Sequence, residues 1–388
     1  MRITLVQPYI TTKSIPKEYY NIQSFGLSAE LIKRGFDVTI LTTNLIRPEV
    51  RSYKDRLRRF EENMNGLKVV YIPTLATPGA LPIFPTLPME IIKSKPDIVQ
   101  AAEDSQLATL SAVMCCKAAR IPLAVYQGMY SFTYSHVHIR KLYSRTAGQV
   151  VYKLANAFVC KSNAAKEYVI AQGVRPERAH VVPVGFKKSN YSRLDDGSLQ
   201  KYVKHSGGKI LISVGRLNYE KGFDTAILAM KNVVKRFPDT SYVIFGDGPE
   251  HNKLTRLIEE NGLTDNIFIV TEKILNTKMS FIYSGAYLHL IPSTYEIFNM
   301  TMLEALACGT PVIACKVGGM KDTIKHGATG FLFTPDSVDE LTDYICELLE
   351  DEEKWKTLSR QAQTDMDNYD WAVIADRFMH TYEKMVCK

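Results

Sequence analysis

Residues 291–319 read IPSTYEIFNMTMLEALACGTPVIACKVGG. They begin at the end of an apolar run, Tyr287-Leu288-His289-Leu290-Ile291, which Pro292 and Ser293 stop, so a buried strand ending in a turn is predicted. A helix follows. Asn299 or Thr301 can cap it, Met302, Leu303 and Leu306 give it an apolar face, and Cys308-Gly309-Thr310-Pro311 closes it with Gly and then Pro. Val312-Ile313-Ala314 is the next strand. Strand, turn, helix and strand make a βαβ unit, and in a parallel sheet the turn lies at the carboxyl end of the strand, where ligands bind. Glu296 falls in that turn and Glu304 a helical turn or more inside, both expected to face the space above the helix N-terminus. Unpaired N–H groups and the positive dipole end there favour a phosphate, while carboxylates accept hydrogen bonds from sugar hydroxyls. Taken alone, two glutamates at this spacing fit a solvated surface helix better; their neighbours in the sequence reverse that.

The chain has 388 residues, too many for one ordinary core, so two domains are expected. Hydrophobic residues at 46% and charged residues at 23% place it among soluble globular proteins. No apolar run approaches the ~18 residues that a membrane span needs. The first strand-length run, Met1 to Val6, gives way to polar residues and does not read as a signal peptide. Seven cysteines, scattered and without a Cys-x-x-Cys pair, predict a reducing cytoplasm and no structural zinc.

Strands are predicted at 2–6, 37–43, 69–73, 97–101, 123–127, 157–160 and 180–183, with helices over 22–33, 105–119, 143–154 and 163–172 and an irregular Pro-rich loop over 77–88. A polar stretch, 187–209, reads as a linker between a first domain, 1–186, and a second, 210–369. The second domain carries strands at 210–214, 241–245, 266–270, 287–291, 312–314 and 330–333, and an amphipathic helix over 370–388 ends the chain. Alternation of strand and helix in both halves predicts α/β architecture with parallel, doubly wound sheets.

After the first strand of the second domain comes Gly215-Arg216-Leu217-Asn218-Tyr219-Glu220-Lys221-Gly222. A guanidinium and an ammonium flanking a turn at a strand's carboxyl end suit a departing diphosphate, each charge-assisted hydrogen bond contributing about 1.5–3 kcal/mol. A solvated helix start is the equal alternative for this motif alone. Phe245-Gly246-Asp247-Gly248-Pro249-Glu250 reads as a structural turn, and Val317-Gly318-Gly319 as either a close approach to ligand or a plain strand-to-helix turn.

GRLNYEKG, FGDGPE, STYEIFNMTMLEALACGTPV and KVGG, in this order and spacing, resemble the retaining GT-B glycosyltransferases of family four (group 1 glycosyltransferases), and SNAAKEYVIAQGVRPERAHVVPVGF in the first half resembles them more weakly. The resemblance implies two Rossmann-like domains facing a cleft, with the last helix crossing back to the first domain. It implies a metal-independent, retaining hexosyl transfer from a nucleotide-diphosphate sugar to an acceptor hydroxyl, with no cofactor beyond that co-substrate. Arg216 and Lys221 would hold the diphosphate beside Gly215, Glu296 the donor sugar, Glu304 the ribose, and the backbone of Phe298, Asn299, Met300 and Thr301 would complete the pocket. The base would lie near Lys273 and Ile274, and Gln127 and Gly128 would face the acceptor. Three positions depart from the family pattern. Glu296-Ile297-Phe298-Asn299 replaces Glu-Gly-Phe-Gly, Tyr19-Tyr20-Asn21 stands where a Gly-Gly loop is usual, and Gln127 stands where many members have a histidine.

Asp365-Met366-Asp367 matches the Asp-x-Asp string of metal-dependent transferases but lies before the last helix, outside any strand-end loop, and no metal is predicted. His289, within an apolar strand, is expected in the core. Ten Lys or Arg against two Glu between Tyr130 and Lys188, including Arg140, Lys141, Arg145, Lys153 and Lys161, give the first domain a basic excess. Arg47, Arg51, Lys54, Arg56, Arg58 and Arg59 form a second cluster. With no nucleic-acid motif alongside, this points to an anionic membrane surface and to a lipid-linked or cell-envelope glycan acceptor, for an enzyme that is cytoplasmic or peripheral on the inner face of the membrane. Two alternatives are a GT-B relic that binds nucleotide or scaffolds without turnover, and a dinucleotide oxidoreductase. The second fails because Val6-Gln7-Pro8-Tyr9-Ile10 lacks the Gly-rich fingerprint.

Overall fold

The computed structural model describes residues 1–8, 23–75, 82–131, 142–204 and 207–386. Tyr19-Tyr20-Asn21, Arg140, Lys141 and Cys387 lie outside them. The chain divides into two compact units, one formed by Met1–Gly185 with Trp371–Lys388 and the other by Phe186–Asp370.

Among the described residues of the first unit eight strands form one sheet: β1 (Arg2–Val6), β2 (Asp37–Thr43), β3 (Phe60–Met64), β4 (Leu67–Ile72), β5 (Ile98–Ala102), β6 (Leu123–Gln127), β7 (Ala157–Cys160) and β8 (Ala179–Val181). Their order is β3-β4-β2-β1-β5-β6-β7-β8, and every pair is parallel except β3–β4. The chain winds outward from β1 on one side, then crosses to β5 on the other, so a crevice opens at the carboxyl ends of β1 and β5. The central strands are buried on both faces, which is why they read as continuous apolar runs.

Two elements depart from the sequence expectation. The antiparallel edge strand β3 is joined to β4 by Asn65 and Gly66, both at positive φ, a two-residue hairpin turn. A helix, Leu87–Lys93, begins inside the Pro-rich stretch, with Pro88 in its first turn where the missing N–H costs nothing.

The closing helix, Trp371–Val386, packs its buried face of Trp371, Ile374, Phe378 and Tyr382 into this unit. A Cβ on Gly26 would sit 2.1 Å from the Trp371 ring, so the indole lies directly on backbone. Tyr382 donates its hydroxyl to Gln100 Oε1 on β5 at 2.7 Å.

Among its described residues the second unit has six parallel strands: β9 (Ile210–Val214), β10 (Ser241–Phe245), β11 (Ile267–Val270), β12 (Leu288–Ile291), β13 (Val312–Cys315) and β14 (Gly330–Phe333). Their order is β11-β10-β9-β12-β13-β14. The chain moves from β9 out to β11 and returns to place β12 on the other side of β9, so the switch point lies between β9 and β12. The described residues of the expected linker 187–209 are not free: they belong to this unit, with Tyr191 and Leu199 buried and the Tyr191 hydroxyl bonded to Asn276 Oδ1 at 3.1 Å. Their polar composition conceals two apolar anchors. His289 lies fully buried on β12 and stacks on Tyr283, and burial pushes its imidazole down to about 3.

Candidate active site

Because β9 and β12 are neighbours, the loops that follow them meet. The backbone N–H of Thr294 donates to the Glu220 carbonyl at 2.9 Å, which ties the two loops together. Gly222 sits at φ +61°, and a Cβ there would lie 2.2 Å from the Pro292 carbonyl oxygen, so only glycine permits this approach. The result is one ion pair across the switch point: Lys221 Nζ lies 2.6 Å from Glu296 Oε2, with the side chains 22% and 14% exposed. Arg216, on the same loop, is exposed.

Asn299 caps the helix Met300–Ala307, its Oδ1 accepting from the Met302 N–H at 2.9 Å and from the Thr301 hydroxyl at 2.7 Å. Its Nδ2 donates to Glu296 Oε2 at 3.1 Å. One side chain therefore holds both the helix start and the glutamate, a role that glycine at this position lacks. The Phe298 side chain turns inward against Gly319, where a Cβ would stand 2.6 Å from its ring, and beside Tyr369. It anchors the loop.

Glu304 does not face the space above the helix N-terminus as expected. It is buried, accepts the Tyr283 hydroxyl at 2.8 Å, and burial pushes its carboxyl up to about 7. Lys273 is exposed and Ile274 half-buried in the loop after β11, at the same carboxyl end of the sheet. Asp365 and Asp367 do not act together: Asp365 pairs with Lys325 at 2.5 Å and Asp367 with Lys188.

In the first unit a cavity of about 300 Å³ opens at the carboxyl ends of β1, β5 and β6. Gln7, Gln23, Gln100, Gln106, Glu103 and Lys161 supply its polar lining, and Tyr126, Trp371 and Phe378 its aromatic wall. Glu103 adopts φ +58°, a left-handed conformation that an L side chain enters only under constraint. The constraint is visible: its carboxylate accepts the amide N–H groups of Gly128 and Met129, each at 3.1 Å, and pairs with Lys161 Nζ at 3.1 Å.

Two family models match the chain in tandem, Glycosyltransferase Family 4 over residues 24–189 and Glycosyl transferases group 1 over residues 196–365. The chain belongs to these glycosyltransferases. It is 23% identical over 372 residues to the gpi3 subunit of phosphatidylinositol N-acetylglucosaminyltransferase from Schizosaccharomyces pombe, covering 93% of this chain and 76% of that one. It is 28% identical over 276 residues to the 2-deoxystreptamine glucosyltransferase of Streptomyces kanamyceticus, covering 66% and 68%. Among solved structures, Anabaena HepE in complex with UDP matches with a TM-score of 0.77 at 20% identity, covering 99% of this chain and 100% of that one. Sucrose-phosphate synthase from Thermosynechococcus elongatus matches with the same TM-score at 19% identity, covering 100% and 99%. At such identities the likeness shows the fold, which is GT-B.

The glycosyltransferase uses Gln127 differently from the sequence expectation. Gln127 is fully buried, with its Nε2 donating to Asp104 Oδ1 at 3.2 Å and to the Met129 carbonyl at 2.9 Å, while its Oε1 accepts from the Asp104 N–H at 2.9 Å. It braces the corner that carries Glu103 instead of facing an acceptor, and the Gly128 N–H is held by Glu103. Sequence reasoning missed Glu103 and Asp104, although two carboxylates ending a strand at Ala101-Ala102 are a readable signal. Asp104 is buried and takes the Tyr152 hydroxyl at 2.5 Å; burial first, then the Glu103 charge, pushes its carboxyl up to about 6. Lys161, assigned to lipid by sequence, is paired inside the cavity and lies over the Tyr126 ring.

Proposed function

We propose that this glycosyltransferase moves a hexosyl group from a nucleotide-diphosphate sugar to an acceptor hydroxyl, with retention of configuration and without a divalent ion. The observation that carries the reading is the Lys221–Glu296 pair across the β9/β12 switch point. The bond from the anomeric carbon to the diphosphate oxygen breaks as the bond to the acceptor oxygen forms on the same face, and the acceptor proton passes to the leaving phosphate. Negative charge grows on the diphosphate, where Lys221, Arg216 and the N-terminus of the helix Met300–Ala307 stabilise it in place of a metal. Glu296 accepts hydroxyls of the donor sugar, and Asn299 fixes its carboxylate. The cavity beside Glu103, lined by glutamine amides and aromatic rings, takes the acceptor headgroup. The relatives that act on phosphatidylinositol and on 2-deoxystreptamine support an acceptor rich in hydroxyls, and for this chain we assign a lipid-linked or cell-envelope glycan precursor. A cytoplasmic or inner-face peripheral location accords with six free cysteines among the described residues and with no helix there long and apolar enough to cross a membrane.

Calorimetric titration with uridine, guanosine and adenosine diphosphates tests the donor side. At least one is expected to bind. Failure of all three nucleotides to bind would sink the donor assignment.

A further inference from the structure

Helix Leu107–Ala119, LATLSAVMCCKAA, carries one charged residue, Lys117. A helix apolar all round belongs in a core, yet this one is half covered. Ala108, Ala112, Val113 and Cys116 are buried, while Met114 on the opposite face is 56% exposed and Ala118 and Ala119 are also exposed. Helix Leu87–Lys93 lies alongside and adds Met89 and Ile92, 49% and 48% exposed. Between the two helices runs an apolar groove of about 600 Å³ whose walls include Pro88, Ile92, Leu107, Leu110, Met114 and Ala118.

The exposed charges within 82–96 and 107–122 have one sign. Lys93, Lys95, Lys117 and Arg120 are exposed at its margin, and Glu90 is the one carboxylate in the sequence of 82–96 and 107–122. Glu90 is 2% exposed and already neutralised by Arg59 at 2.9 Å and Lys93 at 3.1 Å. The Arg59 contact also brings the basic segment 51–59 to the edge of helix Leu87–Lys93, and that segment exposes Tyr53 and Leu57 beside Arg51, Lys54 and Arg58.

We propose that this face seats the first unit on an anionic lipid bilayer, with Met89, Ile92 and Met114 entering the acyl boundary and the surrounding Lys and Arg meeting lipid phosphates. An apolar strip flanked by these four exposed cations matches such an interface on both counts. A second copy of the chain matches it poorly, since a two-fold contact would set the same cations against each other. The inference is independent of the transfer reaction, because membrane binding and sugar transfer are read separately.

The test is sedimentation of the full chain with vesicles of phosphatidylcholine alone or with about a third phosphatidylglycerol, at low and high salt. The wild type should pellet with the anionic vesicles only, and less at high salt. Met114→Glu should lower the bound fraction at least tenfold, as should Lys117→Glu combined with Arg120→Glu, with melting temperature and turnover of a soluble donor unchanged. Four outcomes overturn the proposal: equal binding to neutral vesicles, anionic binding that survives Met114→Glu, a wild-type dimer that Met114→Glu splits, or a melting temperature that falls in both variants because another part of the chain covers the groove.

Discussion

Lys221→Ala is expected to lower turnover by roughly 10²–10³-fold, the usual loss when one donor to a developing anion is removed. Lys221 is placed by Gly222 and by the Thr294–Glu220 backbone bond, so its ammonium waits at the switch point before any ligand arrives. Because charge on the diphosphate is greatest as the glycosidic bond breaks, the loss should fall more on kcat than on KM. Lys221→Arg keeps the charge but changes its reach and geometry, and partial recovery there would assign the effect to charge at this position. Steady-state kinetics of the two variants check this. Unchanged kcat in Lys221→Ala would remove the ammonium from the mechanism.

Glu296→Ala should lower turnover by at least about 10²-fold, for two reasons. The donor sugar loses the carboxylate that orients it, and Lys221 loses a charge-assisted hydrogen bond of about 1.5–3 kcal/mol that fixes its position. Asn299 separates these contributions. Asn299→Ala removes the helix cap, costing about 0.5–2 kcal/mol of stability, whereas glycine as a cap costs only a few tenths. Both variants lose the 3.1 Å bond to Glu296. If orientation of Glu296 matters, both should lose turnover to a similar extent, roughly tenfold, while only Asn299→Ala melts clearly earlier. A Glu296→Ala enzyme with near-normal turnover would contradict the donor-sugar role.

Much of this architecture is legible in the sequence because parallel strands covered on both faces must be apolar throughout, and runs such as Ile210–Val214 and Val312–Cys315 leave no competing reading. Strand β3 escapes because Phe60–Met64 lies at an edge, half exposed and bearing Glu61 and Glu62; the Asn65-Gly66 turn was its only strong signal. The helix Leu87–Lys93 hides behind prolines that begin it instead of breaking it. Residues 187–209 mislead because polar composition outweighs two well-placed apolar side chains, Tyr191 and Leu199.

At the site, sequence spacing brings Lys221 and Glu296 to adjacent strand ends, but direction and burial are tertiary facts. Nothing in the helix pattern says that Glu304 points into a shell containing Tyr283, or that Gln127 turns back to Asp104. The substitution of Asn299 for the family's glycine has a physical account only once its Nδ2 is seen on Glu296. Charge counts mislead in a similar way. Lys161 and Arg47 swell the basic excess of the first domain, yet each is paired, Lys161 with Glu103 and Arg47 with Glu49 and Glu62.

The most direct test of retaining, metal-independent transfer is proton NMR of the anomeric signal while the purified protein turns over an α-linked nucleotide hexose, with a chelator present and a hydroxyl-rich acceptor supplied. An α-configured product accumulating at a rate unaffected by the chelator is predicted. A β-configured product, or transfer that stops when divalent ions are removed, would contradict the account.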